Sequence, residues 1–240
     1  MNAVTLTNQD ATSARLGGWQ PFSACDWPGR LCAVVFLAGC PWRCGYCHNP
    51  HLLRRKNGQT DWPRFISWLA NRCGLLDGVV FSGGEPLQEP SLPLLLQQVR
   101  AMGFATGLHT SGSYPHRLAK ALPLLDWVGL DIKTLPSHYA ALTGVTGSGE
   151  HVQNSLSLLL SSNVTFECRS SIHPHWHSRQ TLQQMAAWLS THGVRHYAWQ
   201  LLRPAPDQIP PVGAAPPGWP DLALLSETKT RFEHFSLRNS

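Results

Sequence analysis

The chain has 240 residues, of which 42% are hydrophobic, and a formal net charge of +5. That length is ample for a buried core and the composition is that of a soluble globular protein. No apolar run approaches the roughly 18 residues that cross a bilayer, and neither long Lys/Arg runs nor RNA-module signatures point to nucleic acid.

The first 15 residues are polar and lack the basic-then-apolar pattern of a signal peptide, so residues 1–16 are expected to form a loose leader. Short β-branched runs then alternate with helical patterns, which argues for an α/β domain with a largely parallel sheet. Strands are expected at 31–37, 78–81, 105–109, 127–131, 165–171 and 197–202. Helices are expected near 61–73, 91–102, 115–125, 151–162 and 179–192, several opening on Ser, Thr or Asp and closing on a glycine such as Gly103 or Gly193. Six such units make a partial (β/α)6 barrel, about three-quarters of the closed eightfold form. Over 204–220 seven prolines fall in seventeen residues, which reads as a tether, and 221–235 has the pattern of a short amphipathic tail helix. The chain therefore divides into a leader (1–16), a barrel domain (17–204) and a tether with tail (205–240).

Seven cysteines are an odd number, which argues against a fully paired disulfide framework and suits a reducing cytoplasm. Cys25, Cys32, Cys73 and Cys168 are scattered and are expected to be small buried or half-buried thiols. The other three stand together. Directly after the first expected strand, the run Gly39-Cys40-Pro41-Trp42-Arg43-Cys44-Gly45-Tyr46-Cys47-His48-Asn49-Pro50 spaces Cys40, Cys44 and Cys47 as C-x3-C-x2-C. Three thiolates on one loop can hold a cubane iron–sulfur cluster with one iron left open. The same loop with His48 could instead form a Cys3His zinc site. After the second strand comes Ser82-Gly83-Gly84-Glu85-Pro86. Alone it is a turn with proline at a helix start. A zinc site has no need of it. Both motifs follow strands, so both fall at the carboxyl ends where parallel α/β sheets bind ligands.

The pair of motifs resembles the radical S-adenosylmethionine (SAM) superfamily. The resemblance implies a [4Fe–4S] cluster on Cys40, Cys44 and Cys47 whose open iron chelates the amino and carboxylate groups of SAM. Reductive cleavage of SAM would then release a 5′-deoxyadenosyl radical, with the protein supplying position and electrostatics. It assigns the Gly83-Gly84 backbone, supported by Glu85, to the methionyl end, because glycine lets a ligand approach closely. Tyr46 would border the adenine and His48-Asn49 the adenosine side, whereas Trp42 is equally well read as ordinary packing. Leu108-His109-Thr110-Ser111-Gly112 ends the third strand and Asp131-Ile132-Lys133 the fourth. In the similar glycyl-radical activating enzymes Asp and Lys contact SAM, so these roles pass to Asp131 and Lys133, with Thr110 alongside. An i, i+2 pair on a strand faces one way. Arg169 is expected to reach the SAM carboxylate, and Gln200 or Arg203 to close the last strand's mouth.

One position departs from the pattern. Relatives often carry an acidic residue where this chain has His109, and in some it helps to hold a monovalent cation. A histidine serves a hard cation poorly, so His109 is read as a positive neighbour of the carboxylate or a packed histidine. His173-Pro174-His175-Trp176-His177 follows a strand and reads as a loop that contacts substrate or partner, or as a metal site. Arg54-Arg55-Lys56 reads as a solvated basic face, or as a docking point for an acidic reductant such as a flavodoxin- or ferredoxin-like donor.

The opening from Gly17 to Arg30, the Cys-His-Asn-Pro run, the Asp-Ile-Lys strand end and Thr143-Gly144 together resemble the anaerobic ribonucleoside-triphosphate reductase activating proteins. That resemblance covers roughly Gly17 to Pro204 and implies hydrogen abstraction from one glycine of a partner glycyl-radical enzyme. The competing readings are a radical SAM enzyme acting on a small molecule, similar to 7-carboxy-7-deazaguanine synthase, and a non-catalytic metal-binding or electron-carrying module.

Overall fold

The computed structural model describes residues 13–59, 61–202 and 213–239. Its centre is an eight-stranded sheet in sequential order, β1 to β8. The strands are β1 (Leu16–Ser23), β2 (Cys32–Leu37), β3 (Gly78–Gly83), β4 (Ala105–Thr110), β5 (Trp127–Asp131), β6 (Thr165–Ile172), β7 (His196–Leu201) and β8 (His234–Asn239). β1 pairs antiparallel with β2. From β2 to β8 every pairing is parallel.

The helices are α1 (Trp62–Ala70), α2 (Leu92–Ala101), α3 (Pro115–Ala121), α4 (Tyr139–Thr143), α5 (Ser148–Leu160), α6 (Arg179–Thr191) and α7 (Leu222–Lys229). Their starts have local causes. Ser178 Oγ accepts the Thr181 amide to cap α6, and Asp221 Oδ1 accepts the Leu224 amide to cap α7. Gly103 and Gly193, at φ of +88° and +87°, follow α2 and α6 in the left-handed region that ends helices at little cost to glycine.

Two apolar layers result. Val79, Phe81, Leu108, Val128, Leu130 and Cys168 on the outward face of the strands pack with Leu95, Val99, Leu156 and Met185 of the helices. Inside the curve lies a smaller cluster of Trp27, Cys32, Val34, Val80 and Trp127. Both strand faces are covered, which explains the nearly continuous apolar runs. Trp27, from the β1–β2 loop, stacks on Trp127 at 5.7 Å and fills the floor of the curve. Gly78 and Gly107 make room for it, since a Cβ at either would lie 3.0–3.1 Å from its ring.

All six expected strands are present, and the expected helices are found within a few residues. Two strands exceed the expectation. β1 reads Leu-Gly-Gly-Trp-Gln-Pro-Phe-Ser and has no β-branched residue, but as an edge strand it tolerates proline and glycine. It also draws Ala14 and Leu16, expected in the leader, into the core. The tail forms α7 over only eight residues and then β8, whose Phe235 packs on Tyr197 and Trp199 of β7. Cys25 and Cys73 are exposed rather than buried, because both lie in loops; Cys32 and Cys168, on strands, are buried as expected. Arg203 and the first part of the proline-rich segment lie outside the described residues.

Candidate functional site

The carboxyl ends of β2 to β6 surround an open cleft of about 140 Å³. Its lining includes Cys40, Cys44, Cys47, Tyr46, His48, Asn49, Gly83, Gly84, Thr110, Asp131 and Lys133. Five positions distant in the chain, Gly83, Gly84, Thr110, Asp131 and Lys133, thus join the cysteine loop at one end of the sheet. Glu85 and Arg169 stand behind this lining.

Backbone contacts shape the cysteine loop. The Gly39 amide donates to Leu52 O at 2.7 Å and the Cys40 amide to Leu53 O at 3.1 Å. The Arg43 amide donates to Thr143 O at 2.9 Å, so the Thr143-Gly144 pair buttresses the loop from outside. The Arg43 guanidinium folds back on the carbonyls of Cys40 and Trp42, both at 2.8 Å. Trp42 is buried edge-on against Tyr139 and serves packing. All three loop thiols are free and half-buried. Burial, and next the nearby Glu85 carboxylate, pushes the Cys40 thiol up to about 12, so bound metal is what would hold it as a thiolate. Among the described residues no three His, Cys, Asp or Glu are grouped to hold a single metal ion. Three half-buried sulfurs lining one cleft are the donor type that an iron–sulfur cluster takes.

The glycine turn is required by the fold itself. The Gly84 amide donates to Leu37 O at 2.9 Å and the Glu85 amide to Gly39 O at 2.7 Å. A Cβ at Gly83 would lie 2.3 Å from Leu37 O, and one at Gly84 2.3 Å from Gly39 O. The glycines are required by backbone crossing the end of β2, and the cleft side is left lined by peptide groups.

Glu85 is 1% exposed. Its Oε1 accepts from the Leu87 amide at 3.0 Å and Thr110 Oγ1 at 2.7 Å; its Oε2 accepts from the Ser111 amide and hydroxyl at 2.8 and 2.5 Å. Burial raises its pKa against these bonds. The carboxylate is fully engaged and ties the glycine turn to the end of β4.

Asp131 and Lys133 face the cleft as their i, i+2 spacing requires. Arg169 Nε and Nη2 donate to Asp131 Oδ1 at 3.1 and 2.7 Å. Burial alone would raise the Asp131 carboxyl, but Arg169, then Lys133, hold it below the usual carboxylate range. Burial opposes the charge on Lys133 too, yet the Cys44 sulfur and Asp131 more than offset this and hold it high. The Lys133 ammonium lies 5.8 Å from the Tyr46 ring centroid, in cation–π range.

Arg169 is only 6% exposed, and its guanidinium is taken up by Asp131 and by His109 Nε2 at 2.8 Å. Burial, followed by Arg169, pushes His109 down to about 4. His109 is therefore a neutral packed histidine near pH 7, edge-on to Trp127 at 5.6 Å, and not a positive neighbour.

The loop after β6 forms no metal site among the described residues. The His173 ring lies 3.0 Å from Gly213 O, and its Nδ1 accepts the His175 amide at 3.1 Å. His177 lies 2.8 Å from Lys133 O. Arg55 is bound to the buried carboxylate of Glu89, whereas exposed Arg54 and Lys56 have no ion pair among the described residues. Gln200 is half-buried on β7 and is not part of the cleft lining.

Comparison with known proteins agrees with this geometry. The family model described as "Radical SAM superfamily" matches residues 34–177. A Methanocaldococcus jannaschii protein, provisionally named a glycyl-radical enzyme activating enzyme, is 29% identical over 183 residues, covering 72% of this chain and 74% of its own length. The pyruvate formate-lyase-activating enzyme of Clostridium pasteurianum is 33% identical over 129 residues, 50% of this chain and 52% of its own. The 7-carboxy-7-deazaguanine synthase of Methanopyrus kandleri is 32% identical over 131 residues, 46% of this chain and 52% of its own. The chain thus spans about half the length of the last two.

Proposed function

The chain belongs to the radical SAM superfamily, and on that premise we propose that it is the activase of a glycyl-radical enzyme, with anaerobic ribonucleoside-triphosphate reductase as client. The observation that carries this reading is one cleft holding three free thiols, the glycine-turn backbone and the Asp131–Lys133 pair. When bound there, SAM and a [4Fe–4S] cluster would supply reductive carbon–sulfur cleavage and a hydrogen-abstracting 5′-deoxyadenosyl radical.

In this proposal Cys40, Cys44 and Cys47 hold the iron. Tyr46, His48 and Asn49 line the adenosine side. Peptide groups at Gly83 and Gly84 receive the methionyl end, braced by Glu85 through Thr110 and Ser111. Lys133 faces anionic groups of SAM, and Asp131 accepts hydrogen bonds from cationic or hydroxyl groups. Arg169 keeps Asp131 ionised and in place. The barrel domain is assigned to residues 17–204 together with β8, which continues the same sheet beyond β7.

The similarity to the Methanocaldococcus protein, over nearly three-quarters of both chains, supports an activase. The shorter match to a 7-carboxy-7-deazaguanine synthase favours, as a second reading, a small-molecule substrate. Anaerobically reconstituted protein with SAM and reductant should yield 5′-deoxyadenosine and methionine, and a candidate reductase should then acquire a glycyl doublet in electron paramagnetic resonance. Absence of deoxyadenosine overturns the superfamily chemistry. Deoxyadenosine without the doublet overturns only this choice of client.

A further inference from the structure

A second concavity lies between the segment after β3 and α3 and shares no residue with the cleft. It is a groove of about 170 Å³ floored by Leu87, Leu92 and Pro93 and rimmed by Pro90, Arg117 and Lys120. Its one acid, Glu89, is buried and ion-paired with Arg55. Arg117 and Lys120 are exposed and one turn apart on α3, and the Arg117 guanidinium holds the carbonyls of Leu87 and Gln88 at 2.9 and 2.7 Å.

Gln88 and Arg55 both pack against Gly39, where a Cβ would meet their side chains at 3.2 and 3.3 Å. Through the Glu89–Arg55 ion pair the groove wall is tied to the segment that carries exposed Arg54 and Lys56. Among the described residues no ion pair engages Arg54, Lys56, Arg117 or Lys120. The backbone just before Arg54 is the one hydrogen-bonded to Gly39 and Cys40.

We propose that this belt, Arg54, Lys56, Arg117 and Lys120 around the Leu87–Leu92 groove, docks an acidic electron-transfer protein that reduces the cluster. The inference rests on the function proposed above and names its partner surface. In the encounter the reduced flavin or iron–sulfur centre of the partner loses one electron and the cluster gains it; no bond is made or broken. Four uncompensated cations favour an acidic face and raise its association rate. The position favours a donor over the client. A donor needs only to come close behind the cysteine loop, whereas the client's glycine must enter the cleft. With separate surfaces, both partners can be bound together.

The test uses reconstituted holoenzyme, wild type and Arg54→Glu/Lys120→Glu, with deoxyadenosine formation driven either by reduced flavodoxin or by photoreduced deazaflavin, a small uncharged donor. At low ionic strength the variant should lose about tenfold or more of the flavodoxin-driven rate, together with the wild type's salt dependence. Its deazaflavin-driven rate should match wild type. An unchanged flavodoxin rate overturns the proposal. So does an equal loss with both donors, which would mark damage to the cleft. Loss confined to glycyl-radical formation on the client would give the surface to the client and overturn the donor assignment. Wild type that makes no deoxyadenosine even with deazaflavin strikes the function itself and takes this inference with it.

Discussion

His177 Nε2 lies 2.8 Å from the carbonyl oxygen of Lys133. Its Nδ1 accepts the His173 amide at 3.4 Å, so the ring proton sits on Nε2 and is donated to Lys133. Burial keeps the ring neutral by lowering its pKa. The same carbonyl accepts Tyr46 OH at 3.3 Å, and the Lys133 amide donates to Tyr139 OH at 2.8 Å. Two loops and the first residue of α4 thereby hold the backbone of Lys133 from both sides at the cleft wall.

Replacing His177 by Phe should weaken SAM binding about fivefold, the worth of one buried hydrogen bond of about 1 kcal/mol. His177→Gln, which keeps a donor, should restore it to within about twofold. Equilibrium binding of SAM to reconstituted protein measures both, and equal affinity for Phe and Gln would remove His177 from the site's support.

Arg169→Met should leave the Asp131 carboxylate buried without its partner. Breaking one side of a buried pair costs about 3–5 kcal/mol, to be read as a lower urea midpoint. The paired carboxyl is held below its ordinary range, so its stabilisation is present above that range and is lost only as the pH falls through the depressed value. The difference between wild type and variant should therefore persist from pH 8 to pH 5. A difference already gone at pH 5 would contradict the pairing.

His109 acts in another window. An ordinary imidazole titrates near 6.5, and this one only near 4. The unfolded chain takes up the proton first, so the folded state loses stability as the pH falls from 6.5 towards 4, by at most about 3 kcal/mol. His109→Gln should flatten that part of a denaturation profile. An unchanged slope would mean that His109 is protonated in the fold.

Gly83→Ala should prevent normal folding or cost more than about 2 kcal/mol, since the residue sits at φ +123° with Leu37 backbone 2.3 Å from the new Cβ. Gly147→Ala, also at positive φ but with nothing within 4 Å, should cost only about 1 kcal/mol. Thermal unfolding compares the two directly. Similar losses would place the strain at φ alone.

Cys44→Ala should abolish cluster iron and activity. Cys73→Ala, an exposed thiol in the loop after α1, should leave iron content and cluster spectra intact. Loss of iron in the Cys73 variant would change the ligand set.

The cysteine spacing, the glycine turn and the six main strands were legible because each is a local pattern: thiols within eight residues, glycines at one turn, apolar runs between helical periods. Asp131 and Lys133 were legible for the same reason, as neighbours on one strand. The roles of Arg169 and His109 were not. Both occupy inward positions, and only the parallel register of β4, β5 and β6 brings Arg169 against both His109 and Asp131.

The sequence alone determined the kind of chemistry: three sulfurs on one loop beside a peptide-lined turn. The tertiary structure decided which charges are free and which are spent. Glu85 is consumed by β4, Arg55 by Glu89 and Arg169 by Asp131, while Arg54, Lys56 and Lys120 have no ion pair among the described residues. It also made strands of β1 and β8, which have little intrinsic strand preference. The physical reason is common to all of these. Pairing across a sheet and ion pairing in a core depend on residues brought together from distant parts of the chain, and residue type fixes only what each could do once it arrives.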